Sequence, residues 1–213
     1  PRSAPLGLRV VTACALGLWM LSTAMLLVGS LTHGLLSRWV WWPVIAVGIL
    51  LAAAQGRRTF DAWRPKEEYD GRALIAVVLM VAVGFWAAGA LLPPGALVSG
   101  DTYDVLEYHL QLPREYYDAQ HVQPLQHNVY SHFPLGMEML FLLGMCLRGG
   151  AYEGIYLAKM LHGVFGALAV AGVLLALRRD EPARARFSAG ILATTPLAIY
   201  LSWLAMVELG QLC

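Results

Sequence analysis

Long apolar segments separated by shorter polar ones dominate the pattern of this chain. Crossing a bilayer takes about 20 consecutive apolar residues, and four runs are long enough: 8–31, 73–93, 154–177 and 187–207. A fifth run, 39–55, is shorter and opens on a tryptophan cluster of the kind found at membrane interfaces. The pattern predicts an all-α polytopic membrane protein with about five transmembrane helices.

The composition agrees with a membrane protein. Only 14% of the 213 residues are charged and the mean hydropathy is +0.58, whereas soluble domains carry about 25% charge. The net charge of +1 gives no indication of a nucleic-acid partner. Cys14, Cys146 and Cys213 form neither a disulfide framework nor a metal knuckle. The first residue is not Met and the chain stops at MVELGQLC without a closing signal, so we expect the N-terminal part of a longer protein.

The basic residues predict which loops face the cytoplasm. Lys and Arg concentrate in loops 56–72 and 178–186, whereas the long loop 94–132 contains only Arg114. Cytoplasmic loops are enriched in Lys and Arg, so the first two loops are expected inside and the long loop outside. The count of crossings fits only if the short run 133–147 does not span. We therefore expect 133–147 to form a half-buried interfacial helix of the outer loop, and Glu208 to reach the outer face.

Two units follow from this topology. Residues 1–72 would hold two N-terminal transmembrane helices and a basic cytoplasmic loop. Residues 73–213 would begin a catalytic membrane core whose outer loop spans 94–153.

The outer loop contains the candidate chemistry. The spacing of Asp104, Glu107, Tyr108 and Gln111 predicts that they share one face of a short helix. Pro113 would end that helix or its first segment. Carboxylates there could bind a divalent metal or accept a proton from a hydroxyl. A charged loop is also often no more than a solvated one. The loop is neither Gly/Ser-rich nor repetitive, which favours a folded segment with a function.

The segments YDVLEYHLQLPREYYDAQHV and NVYSHFPLGMEML, directly after an outward-going helix, resemble the GT-C superfamily of membrane glycosyltransferases. The resemblance is closest to its bacterial branch related to aminoarabinose transferases and protein mannosyltransferases, and it covers about residues 73–212. It implies transfer of a sugar from a polyprenyl-phosphate donor to a glycan, lipid or protein acceptor outside the bacterial inner membrane.

The resemblance also implies site residues. Asp104 inherits the role of the essential acid, with Val105 where relatives have a second acid, and Asp101 is its rival. Glu208 matches an acid expected near a later outer helix end. These three acids are the catalytic candidates, and Asp104 with Glu208 would hold any divalent metal (Mg, Mn or Zn). The expected substrate-binding residues are Glu107, Tyr108, His109, Arg114, Asn128, Tyr130 and Lys159.

Two other classes of protein remain open. The first is a transporter or channel fragment, for which charges inside the helices would be expected. The second is a non-catalytic membrane scaffold of glycan assembly.

Overall fold

The computed structural model describes residues 6–60, 72–94, 103–177 and 181–212, and these residues form helices joined by turns. Asp101 and most of the basic loop 56–72 lie outside the described residues, as do residues 178–180. The helices are α1 Leu6–Leu31, α2 Arg38–Phe60, α3 Arg72–Ala90, α4 Gln111–Ala119, α5 Gly136–Arg148, α6 Ala151–Leu177, α7 Pro182–Thr194, α8 Pro196–Trp203 and α9 Glu208–Gln211. A π-helical turn, Val105–His109, precedes α4, and a 3₁₀ turn, Val129–His132, precedes α5.

Two helices are long and apolar enough to cross a membrane. They are α1, with 26 residues, and α6, with 27, so each is about 40 Å long at a rise of 1.5 Å per residue. They run antiparallel, since Gly7 at the start of α1 faces Leu175 near the end of α6, and Trp19 packs on Phe165 near the middle. Two of the five predicted transmembrane helices therefore have the required length and composition.

α5 occupies the centre of the bundle. It has 13 residues, ten of which are buried without interruption from Met137 to Cys146, and α1, α2, α4 and α6 all pack against it. Its length is well below the roughly 20 residues needed to span, as expected for the run 133–147. This burial is by protein, since four helices pack against α5, and the predicted location of the helix at the membrane interface stays a prediction.

The apolar run 187–207 is not one helix, contrary to the prediction. Thr195 is extended between α7 and α8, and a short turn after Trp203 leads to α9. Pro196 explains the first break, because its ring disfavours helical geometry at the residue before it and it has no N–H to donate. The break lets α7 pack on α6 while α8 packs on α3.

Candidate functional site

The π-helical turn Val105–His109 controls which side chains of this segment face the bundle. Its wide turn is closed by the Leu110 amide, which donates to the Val105 carbonyl at 2.9 Å, a spacing of five residues. His109 is consequently buried, while Glu107 faces out. The predicted shared face is thus only partly formed: Asp104, Tyr108 and Gln111 are half-buried and Glu107 is exposed.

His109 forms a buried pair with Glu138, a residue in the first turn of α5. The His109 Nδ1 and Glu138 Oε1 atoms are 2.6 Å apart, and the two side chains are only 4% and 3% exposed. The other carboxylate oxygen, Oε2, is buried and has no hydrogen-bond partner among the described residues. Sequence reasoning did not place Glu138 in the site. Its one signal was a single carboxylate within the apolar run FPLGMEMLFLLGMCL, because a buried charge needs a partner.

A cavity of about 360 Å³ lies against this pair, within the size range of small-molecule sites. It is bounded by α1, the π-helical turn, the segment that enters α5 and the C-terminal segment at Val207 and Gln211. Trp19, Tyr108 and Phe133 give it aromatic walls, and His109 and Glu138 supply its ionisable groups. Within the described part of the chain, no Lys or Arg lines it.

Tyr108 connects the predicted acids to this cavity. Burial raises the pKa of the Tyr108 phenol, and the charges of Asp104, Glu138 and Glu208 raise it further. Asp104 and Glu208 are far apart in sequence, yet both act electrostatically on this one phenol. Both acids therefore lie within electrostatic range of Tyr108, although neither of them lines the cavity.

The segment that carries Glu208 is fixed by His162 of α6. Nδ1 of His162 lies 3.0 Å from the Leu204 carbonyl, to which it donates, and Nε2 accepts from the Leu209 amide at 3.2 Å. Both ring nitrogens are therefore used, one as donor and one as acceptor, as in a neutral imidazole. His162 is a helix-contact residue that orients the end of the chain around Glu208.

Asn128 and Tyr130 position the π-helical turn from the outside. The Asn128 side chain donates to the Glu107 carbonyl at 3.0 Å and accepts from the Tyr130 amide at 3.1 Å. The Tyr130 ring stacks on Tyr108 with centroids 4.3 Å apart. These contacts place both predicted residues next to the cavity wall, although neither lines the cavity.

The two predicted basic residues lie elsewhere. Lys159 is buried, and its amine donates to the carbonyls of Gly89 and Leu92 at the end of α3. Arg114 is 3.8 Å from Asp118 and lies over the ring of Tyr152. Neither side chain lines the cavity, and their predicted roles in substrate binding stay predictions.

The fit of a divalent metal can be judged from the donors present. Among the described residues, no group of three or more His, Cys, Asp or Glu side chains is arranged to hold an ion, whereas protein metal sites commonly use several such ligands. Glu138 offers one free oxygen, but its other oxygen is occupied by His109. We therefore assign no step to a metal at Asp104 and Glu208.

Comparison with known proteins gives no relative: no family model, curated protein or solved structure matches this chain.

Proposed function

We propose that this chain belongs to a membrane glycosyltransferase, which passes a sugar from a polyprenyl-phosphate carrier to an acceptor outside the bacterial inner membrane. The observation that carries the proposal is a cavity with aromatic walls and the buried His109–Glu138 pair, whose wall residue Tyr108 lies within electrostatic range of Asp104 and Glu208.

The charges indicate which part of the reaction the cavity would hold. Among the described residues that line it, Glu138 is the one carboxylate and none is Lys or Arg, so an anionic phosphate would be repelled there. A neutral sugar or acceptor suits the aromatic walls and hydrogen-bonding groups. The donor phosphate would accordingly lie outside the cavity, toward the lipid.

The proposed reaction is a displacement at the anomeric carbon. The acceptor hydroxyl loses its proton to a protein base as its oxygen bonds to the anomeric carbon, and the bond to the carrier phosphate breaks. The electron pair leaves with the phosphate, and the anomeric configuration inverts. We assign Asp104 the role that the resemblance implies, either as the base or as the group that orients the acceptor.

We propose five membrane crossings: α1, α2, α3, α6 and the pair α7–α8. The antiparallel contact of α1 and α6 supports opposite directions for these two helices. Gly136, at the start of α5, lies against Trp19, about 18 Å down α1 from Leu31. The end of α5, at Gly149, lies against Arg38 at the start of α2. α5 would thus rise from mid-depth to the outer surface without crossing.

This topology is tested by thiol labelling in intact cells. All native cysteines are replaced, and single cysteines are introduced by Asp118→Cys or Ala183→Cys. A membrane-impermeant thiol reagent should label the first variant only. Labelling of Ala183→Cys in intact cells would place residue 183 outside the cell membrane and refute the proposed topology.

The function is tested with Asp104→Asn in the full-length protein, reconstituted in lipid vesicles. The donors are polyprenyl phosphates that carry a radiolabelled pentose or hexose, and release of free carrier phosphate is measured in the presence of a membrane extract that supplies acceptors. Asp118→Asn is the matched control, because Asp118 lies in the same loop and is 61% exposed.

Loss of a base or of an acceptor-orienting carboxylate should lower turnover by about 100-fold or more. The control should stay within about twofold of the unmodified protein, since removing an exposed carboxylate changes little. Turnover of every donor at the background rate by the unmodified protein would refute the function. Equal rates for the two variants would refute the role of Asp104.

The transporter alternative gains no support from the ionisable residues of α6. Lys159 and His162 are both bonded to backbone groups, so they serve the packing of the bundle. A transport path would instead be expected to present such groups to a polar channel.

A further inference from the structure

We infer that His109, oriented by Glu138, is the group that takes the proton from the acceptor hydroxyl. This inference rests on the proposed glycosyl transfer and assigns its base to a residue pair rather than to Asp104. Asp104 then keeps the task of orienting the acceptor beside Tyr108.

The first reason is the orientation of the imidazole. With Nδ1 held 2.6 Å from the Glu138 carboxylate, a neutral ring carries its proton on Nδ1 and presents Nε2 as an acceptor. No hydrogen bond from a described residue reaches Nε2, and the side chain lines the cavity. His109 is thus prepared to accept a proton from a molecule in the cavity. The same division of labour between a carboxylate and an imidazole operates in hydrolase triads.

The second reason is the rigidity of the pair. Glu138 lies in the first turn of the buried helix α5, and the ring of Tyr108 packs against that of His109 with centroids 4.0 Å apart. A general base must lie within hydrogen-bond reach of the proton it takes, so a fixed ring is an advantage. Asp104, in contrast, is only half-buried, and its side chain makes no hydrogen bond to another described residue.

The third reason is the unpartnered oxygen of Glu138. A buried polar atom left without a partner is destabilising, and packing alone would favour an apolar residue in this position. The presence of a carboxylate at this buried position is explained if Glu138 stabilises the imidazolium that forms when His109 takes the proton. In that step the hydroxyl O–H bond breaks, Nε2 gains the proton, and the hydroxyl oxygen bonds to the anomeric carbon. The carrier phosphate leaves with the electron pair, and solvent later removes the proton from Nε2.

The experiment compares His109→Gln and Glu138→Gln with the control His127→Gln in the reconstituted full-length protein. His127 is a fair control because its Nε2 pairs with the Glu115 carboxylate at 2.9 Å in the same loop, but on the exposed surface. Turnover is measured by release of free polyprenyl phosphate, and KM for the donor is measured in parallel.

We expect kcat to fall at least 100-fold in His109→Gln and at least tenfold in Glu138→Gln, with KM for the donor within threefold. The control should retain its rate within twofold. Added imidazole should restore part of the rate of His109→Gly, which a merely structural role would not allow. Full activity of His109→Gln would overturn this inference alone, whereas an inactive unmodified protein would overturn the proposed function together with it.

A measurement on the unmodified protein covers the case in which the buried variants do not fold. Nitrogen NMR of ¹⁵N-histidine-labelled protein should show His109 with its proton on Nδ1 and an unprotonated Nε2, assigned by comparison with single-histidine replacements elsewhere. A proton on Nε2 of the neutral ring would overturn the inference, because that nitrogen could not then accept another.

Discussion

The contact between α5 and α6 depends on Gly154, and this makes a sharp prediction about stability. A Cβ atom built on Gly154 would lie 2.6 Å from the Met145 backbone nitrogen, and closer still to its Cα. Carbon atoms in good contact are about 3.5–4.0 Å apart, so Gly154→Ala would force the helices apart by about 1 Å. The obstacle is backbone, which cannot rotate away as a side chain can.

The magnitude follows from this geometry. Overpacking a tight core costs about 1–3 kcal/mol, and the upper end applies because both helices are buried here. A change of that size should lower Tm by roughly 6–12 °C in a chain of this length. Gly163→Ala in the same helix is the control, because no atom lies within 4 Å of its added Cβ. That substitution should gain up to about 1 kcal/mol from the better helix propensity of alanine.

Cys146 provides the assay. It is buried in α5, and burial raises the pKa of its thiol to about 12, so the folded protein should not react at neutral pH. With Cys14 and Cys213 replaced by serine, a thiol-reactive fluorescent dye reports thermal exposure of α5. A Gly154→Ala protein that melts at the same temperature as Gly163→Ala would refute the close packing of α5 on α6.

Two further substitutions test buried polar groups. Lys159→Met should destabilise the protein by about 1–3 kcal/mol, because the Gly89 and Leu92 carbonyls lose their hydrogen-bond donor. If the variant instead binds the polyprenyl-phosphate sugar more weakly at an unchanged Tm, Lys159 acts in substrate binding. Tyr116→Phe should leave Tm unchanged or raise it, because the Tyr116 hydroxyl is buried without a described partner. Burial raises the pKa of Tyr116 from 10.0 to about 12, so the unfolded phenol ionises before the folded one, and the folded state loses stability as the pH rises from 10 toward 12. Denaturation at several alkaline pH values should therefore show the unmodified protein losing stability relative to Tyr116→Phe, and parallel curves would contradict the burial of this phenol.

The apolar runs located most of the helices well. The run 8–31 corresponds to α1 and 154–177 to most of α6, because a long apolar segment with few charges satisfies its backbone only as a helix. The prediction of one helix over 187–207 was wrong, because hydropathy contains no information on the interruption of backbone hydrogen bonding by Pro196. The loop charges, and not the length of run 133–147, predicted that it does not span, and this stays a prediction; its burial depends on helices that pack against it from distant parts of the chain.

For the candidate site, sequence patterns named His109 and Asp104 but not the partner of His109. Glu138 stood in the sequence as a single acid in an apolar run, with no motif to connect it to a histidine 29 positions earlier. The helical spacing that predicted one polar face assumed an ordinary turn, whereas the π-helical turn moves His109 inward and leaves Glu107 outside.

The sequence by itself determined that this chain is helical and apolar, because those properties depend on composition and on local backbone hydrogen bonding. It also placed most of the candidate chemistry in one loop, with Lys159 and Glu208 as the candidates outside it. The tertiary structure decided which of them meet: the break at Pro196 and the clamp at His162 bring Glu208 back toward the loop, and the packing of α5 places Glu138 against His109. Such contacts depend on how helices cross and turn, and no single segment contains that information.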